Sequence, residues 1–243
     1  MCEAQNKQLQ SNHPVLHYTK LLKFCYFILV LLLFSCGESS SKQETKTTNT
    51  STTETPETKS KTILCFGDSI TAGYGLDDTN DAYPAVIQQK IDSLQLDYTV
   101  INSGVSGETS AGGKSRIDWV IKQTPTIFLL ELGANDGLRG VPISETRANL
   151  QAIINVVKTK SPDTKIILAG MQLPPNMGTT YTSNFKQLFI DLAIENNIGF
   201  IPFILENVGG ISELNQRDGI HPNITGHKIV AQNVWEVLKP MIQ

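Results

Sequence analysis

Apolar residues are distributed along the chain in two patterns. Ile63–Phe66, Tyr98–Ile101, Thr126–Leu132, Lys165–Ala169 and Gly199–Ile201 are short runs that stop at a glycine, asparagine or proline. Runs of that length bounded by turn residues predict strands, the most apolar of them buried on both faces as in a parallel sheet. Between the runs, apolar positions recur at helical spacing. Val86, Ile87, Ile91 and Leu94 predict a helix over 82–95, and Ile117, Val120 and Ile121 one over 108–122. Leu150, Ile153, Ile154 and Val157 predict another over 144–160, with Ser144 as a candidate cap. Further helices are predicted over 181–196 and from Pro222, a residue suited to a first turn, to about Leu238. Strands alternating with helices imply right-handed crossovers. The expected class is α/β, a three-layer flavodoxin-like sandwich on a central five-stranded parallel sheet in the order 2-1-3-4-5.

The amino-terminal third reads differently. Phe24–Phe34 is an eleven-residue apolar run preceded by Lys20 and Lys23. A membrane-spanning helix needs ~20 apolar residues, whereas the core of a signal peptide needs only about 7–15. The run ends in Leu33-Phe34-Ser35-Cys36-Gly37, which resembles a bacterial lipobox with Phe34 bulkier than is usual at its position. That resemblance implies a lipidated Cys36 as the first mature residue, an ordinary signal peptide or an uncleaved anchor being the alternative. Residues 37–60 are almost entirely Ser, Thr, Glu, Lys, Asn and Gln, with no aliphatic or aromatic side chain. Such a segment buries too little surface to offset its ordering entropy, and as a flexible tether it would reach roughly 25–30 Å. The expected organisation is a lipoprotein-type signal peptide over 1–35, lipidated cysteine and tether over 36–60, and one domain over 61–243. An extracytoplasmic protein anchored to a membrane through Cys36 follows from it.

Cysteine and charge agree with that division. Cys2 and Cys25 would leave with the signal and Cys36 would carry lipid, so Cys65 has no partner for a disulfide and the core must hold the domain alone. The whole chain has 20 basic and 23 acidic residues. Removing 1–35 subtracts Lys7, Lys20, Lys23 and Glu3, leaving 17 against 22. A net acidic domain does not suggest a nucleic-acid partner.

In a parallel sheet every strand's carboxyl end faces one rim, and open α/β sheets bind ligands there. Ser69 follows the first strand, Gly107 the second and Asn135 the third, while Asp218 and His221 precede the last helix. Individually these residues read as turn formers, a helix entry and, for Ser69 or the adjacent Asp68, an N-cap. Together they suit acyl transfer. A serine attacks, a histidine removes its proton, an aspartate three residues earlier holds the imidazole, and amide donors receive the oxyanion. His227 lies within the last predicted helix with no acidic residue near it in sequence, and is read as structural.

The blocks Gly67-Asp68-Ser69-Ile70, Ser106-Gly107-Glu108-Thr109, Gly133-Ala134-Asn135-Asp136 and Asp218-Gly219-Ile220-His221-Pro222 resemble the four ordered motifs of the SGNH (GDSL-type) hydrolases. The likeness spans about 62–240. Glu131–Gly140 and Pro174–Tyr181 are similar to the bacterial thioesterase, arylesterase and lysophospholipase branch. The resemblance implies Ser69 as nucleophile, His221 as base and Asp218 as its orienting carboxylate. It implies an oxyanion hole from the Ser69 amide, the Gly107 amide and the Asn135 side chain, acting on a small-molecule ester or lipid. Leu138, Val141, Pro142, Pro174, Pro175, Met177 and Tyr181 are candidates for an acyl channel, ordinary loop packing being their alternative.

Other chemistries fit less well. Gly107–Ser115 follows a strand and opens a helix like a P-loop, but the first glycine is one residue out of place and Glu108 would face phosphate, so no nucleotide is expected. Neither H-E-x-x-H nor paired cysteines occur, so no metal or other cofactor is expected. Within the enzyme class a carbohydrate O-acetyl esterase is the alternative. Outside it stands a non-catalytic tethered binding module, because a fold alone never establishes activity.

Overall fold

A computed structural model describes residues 61–243. The expected signal peptide over 1–35, Cys36 and the expected tether over 36–60 lie outside the described residues. Five parallel strands, β1 (Lys61–Gly67), β2 (Tyr98–Gly104), β3 (Ile127–Glu131), β4 (Lys165–Ala169) and β5 (Gly199–Ile201), form one sheet in the order 2-1-3-4-5. β1 pairs with both β2 and β3, placing Gly67 beside Gly104 and Glu131 at the carboxyl rim. All five residues of β3 are buried, which is why its sequence is apolar without alternation. Helices cover both faces. α2 (Tyr83–Ser93) packs against α7 (Ile224–Ile242), and α3 (Ser110–Val120), α5 (Ile143–Lys160) and α6 (Thr179–Asn196) pack in series on the other side.

Two short helices at the rim had no periodicity to announce them: α1 (Ser69–Ala72) and α4 (Ala134–Leu138). Both place candidate site residues in their first two positions. Of the two adjacent cap candidates, Asp68 and Ser69, Asp68 caps α1 by accepting from Ile70 N at 3.0 Å. Other helix starts differ from the expectations. α5 begins at Ile143 with Pro142 at the cap position and no side-chain cap, so Ser144 is inside the helix. Pro142 presets a usable φ, and its carbonyl accepts from Glu145 N and Thr146 N, which starts the helix early. Asn223 caps α7 by accepting from Gly226 N at 3.0 Å, leaving Pro222 outside the first turn.

Two glycines allow close approach. A Cβ at Gly113 would lie 2.3 Å from Leu132 Cδ1, so α3 sits directly on the sheet. At Gly104 it would lie 2.2 Å from Ala72 N, so the end of β2 touches the backbone of α1.

Candidate active site

Three side chains from opposite ends of the domain meet at the rim. His221 Nε2 is 2.9 Å from Ser69 Oγ, and His221 Nδ1 is 2.7 Å from Asp218 Oδ2. Asp218 folds its own loop by accepting from Ile220 N and His221 N through Oδ1, each at 3.0 Å. Its partial desolvation raises the carboxyl pKa, but the His221 side chain and these backbone donors outweigh that and hold it at about 2. Asp218 is therefore a carboxylate across the working pH range. With Nδ1–H donated to it, the imidazole presents Nε2 as an acceptor towards the serine hydroxyl.

Asn135 stands beside Ser69. Its Nδ2 donates to Glu108 O at 3.0 Å and to Asp68 Oδ2 at 3.2 Å. Gly107 lies in the turn after β2 at φ +78°, a conformation that favours glycine, and Arg139 Nη2 donates to its carbonyl at 3.1 Å. Arg116 fixes the same turn: Nε and Nη2 each lie 2.6 Å from a Glu108 oxygen, and Nη1 and Nη2 donate to Ser103.

Beneath the serine is a buried polar layer. Glu131 Oε2 accepts from Asp68 N at 3.1 Å and from Thr71 Oγ1 at 2.7 Å, and Thr71 Oγ1 also meets Tyr83 Oη at 2.9 Å. Burial, reinforced by the neighbouring Asp68, pushes the Glu131 carboxyl well above the usual range. Burial likewise raises Asp68 to about 6, against the donors Ile70 and Asn135. It also pushes the Cys65 thiol up to about 12, which makes that cysteine inert. His227 is buried and accepts from Tyr83 N through Nδ1 at 3.2 Å. Burial, with the nearby His221, lowers it to about 4, which is a structural environment for a neutral ring.

A cleft of about 390 Å³ opens from Ser69, Asn135 and His221 towards the ends of β4 and β5. Leu138, Pro174 and Pro175 line it, as do Met171, Leu173, Phe203 and Leu205. Val141, Pro142, Met177 and Tyr181 are not in its wall. Tyr181 Oη, in the first turn of α6, instead donates to Val141 O at 2.7 Å and ties that helix end to the loop before α5. Phe203 and Leu205 escape a sequence reading because they lie in irregular chain after β5. The signal for them is topological, since the ligand edge includes the ends of all five strands. Among the described residues no group of three or more His, Cys, Asp or Glu side chains is placed to hold a metal ion.

The family model for the GDSL-like lipase/acylhydrolase family matches residues 65–229, from β1 through the first turns of α7. The chain belongs to this family. As a GDSL-like acylhydrolase it is similar to "Esterase TesA" of Pseudomonas aeruginosa, with 37% identity over 187 residues covering 76% of this chain and 92% of the relative. It is also similar to "Thioesterase 1/protease 1/lysophospholipase L1" of Escherichia coli K12, with 35% identity covering 74% of this chain and 85% of that one. The solved structure titled "Crystal Structure of TesA" superposes with a TM-score of 0.71 at 37% identity, covering 74% of this chain and 99% of the other. The family match includes the loops carrying Ser69, Gly107, Asn135, Asp218 and His221.

Proposed function

We propose that this protein is a serine esterase that hydrolyses carboxylic esters and thioesters through an acyl-enzyme. The observation that carries this reading is the continuous hydrogen-bonded line Ser69 Oγ–His221–Asp218 opening into an apolar cleft. Ser69 Oγ attacks the carbonyl carbon as its proton passes to His221 Nε2, and Asp218 stabilises the imidazolium. The tetrahedral oxyanion is received by the Ser69 and Gly107 N–H groups and Asn135 Nδ2. In the resting arrangement both Asn135 hydrogens are engaged, so the oxyanion competes with Asp68 for the longer of the two bonds. One such donor typically supplies ~2.7–4 kcal/mol of transition-state stabilisation. Collapse expels the alcohol or thiol, which takes the proton from His221. Water then attacks the acyl-serine through the same base and frees the acid.

The cleft argues for substrate class. A space of about 390 Å³ walled by Leu138, Met171, Leu173 and Phe203 is far larger than an acetyl group requires. Each buried methylene contributes about 0.8 kcal/mol, so longer acyl groups are favoured. The Escherichia coli relative, whose name includes thioesterase and lysophospholipase, is consistent with that preference. Lipidation at Cys36 would hold the enzyme outside the cytoplasm at a membrane, where lipid esters rather than acyl-CoA are available.

A fluorescent phosphonate and a chain-length series of p-nitrophenyl esters test this function. Ser69→Ala is expected to abolish phosphonate labelling, and His221→Ala to lower kcat by roughly 10³-fold or more. kcat/KM should rise from acetyl towards medium-length acyl esters. Unlabelled wild-type protein, or undiminished turnover in His221→Ala, refutes the assignment, and a preference for acetylated carbohydrate overturns the substrate class.

A further inference from the structure

We infer that Gln216 is a positioning residue that ties the base to the nucleophile, an inference that rests on the esterase reading above. The turn carrying Asp218 and His221 is connected to Ser69 by more than the catalytic hydrogen bond. Tyr74 N donates to the carbonyl of Ser69 itself at 3.0 Å. Gln216 Nε2 donates to Tyr74 O at 2.6 Å, and Gln216 N donates to the carbonyl of His221 itself at 2.7 Å. His221 Nε2 to Ser69 Oγ, at 2.9 Å, completes the circuit. The backbone of the nucleophile and the backbone of the base are thus joined through one side-chain amide.

The rest of Gln216 is consistent with that role. Its second Nε2 hydrogen reaches Pro222 O at 3.1 Å, and its own carbonyl accepts from Gly219 N at 2.9 Å. It therefore braces both ends of the turn that holds Asp218 and His221. The facing segment makes room for it: at Gly75, φ +76°, a Cβ would fall 2.0 Å from Gln216 Oε1. The Tyr74 ring rests against the His221 imidazole with centroids 4.8 Å apart, so the brace also fixes the surface on which the base lies. Gln216 is not in the cleft wall. Its two donors both point at main-chain carbonyls, an arrangement that a carboxylate would turn into repulsion and a thioether would leave empty.

Gln216→Met keeps length and volume while removing both donors. Kinetics on a p-nitrophenyl ester, normalised to active sites titrated with the phosphonate, provide the test, with Gln187→Met on the outer face of α6 as control. Because misplacement of a catalytic group by about 1 Å costs up to about 10²-fold, kcat per titrated site is expected to fall roughly 10- to 100-fold. KM should stay within about twofold, since the acyl cleft is untouched. Gln216→Glu should be at least as impaired. Unchanged kcat per titrated site, with any lost activity tracking lost sites, overturns the inference by reducing Gln216 to a fold residue. A raised KM at constant kcat overturns it by making Gln216 a substrate contact. Both outcomes leave the esterase assignment standing, whereas wild-type protein that neither labels nor turns over removes the two together.

Discussion

At the scale of single residues, the site is shaped by which groups are charged. Asp218, held at about 2, and Glu131, pushed well above the usual range, are carboxyl groups shifted in opposite directions in one site, the first hydrogen-bonded at the surface and the second buried. His227 shows the consequence for stability. Its folded pKa of about 4 lies below the ordinary 6.5, so the unfolded chain takes up a proton that the native site refuses. Stability from this residue is complete above pH 6.5 and is lost as pH falls towards 4, by on the order of 2–3 kcal/mol. His227→Asn keeps an acceptor for Tyr83 N without a titrating ring. Its urea midpoint is expected to depend less on pH between 7 and 4.5 than that of the wild type, and parallel curves would refute the account. Sequence alone separated the two histidines, since only His221 has an aspartate three residues before it. The role of Gln216 was not legible, because its partners are carbonyls that every residue possesses.

At the scale of elements, strands and long helices were legible and helix starts were not. β3 is uninterrupted hydrophobic sequence because both its faces are covered, and α5 shows its period over 18 residues. α1 and α4 are four and five residues long, too short for a 3.6-residue period to register. The starts of α5 and α7 slipped by a residue or two because Pro142 O and Asn223 Oδ1, rather than groups of Ser144 and Pro222, receive the first free amides. The close approach of β2 to α1 yields an element-scale prediction. Gly104→Ala forces a methyl group against the Ala72 backbone, which cannot swing aside as a side chain can. A loss of about 1–3 kcal/mol in denaturant unfolding is expected, with lower esterase activity because α1 begins at Ser69. Full stability and activity in this variant would show that the contact relaxes freely.

For the whole molecule, the sheet order decides which loops become neighbours. Asp218 and His221 lie about 150 positions from Ser69, and only the return of α7 to the α2 face brings them together. The order 2-1-3-4-5 was legible from element alternation, and Pro174 and Pro175 from their loop, whereas Met171 and Leu173 after β4 and Phe203 and Leu205 after β5 required coordinates. Among the described residues no helix is long and apolar enough to cross a membrane. The attachment proposed above is through Cys36. Mass spectrometry of protein extracted from membranes is expected to find Cys36 at the mature amino terminus, carrying a diacylglyceryl thioether. An unmodified thiol there, or retention of residues 1–35 as an uncleaved anchor, rejects lipidation at Cys36. β1 enters the sheet at Lys61 and delivers the chain to Ser69 at its far end, about 20 Å away at strand rise. A support coupled through the amino-terminal end of the domain would grip it by the blunt side, so an immobilised enzyme would keep its mouth turned to the passing solution.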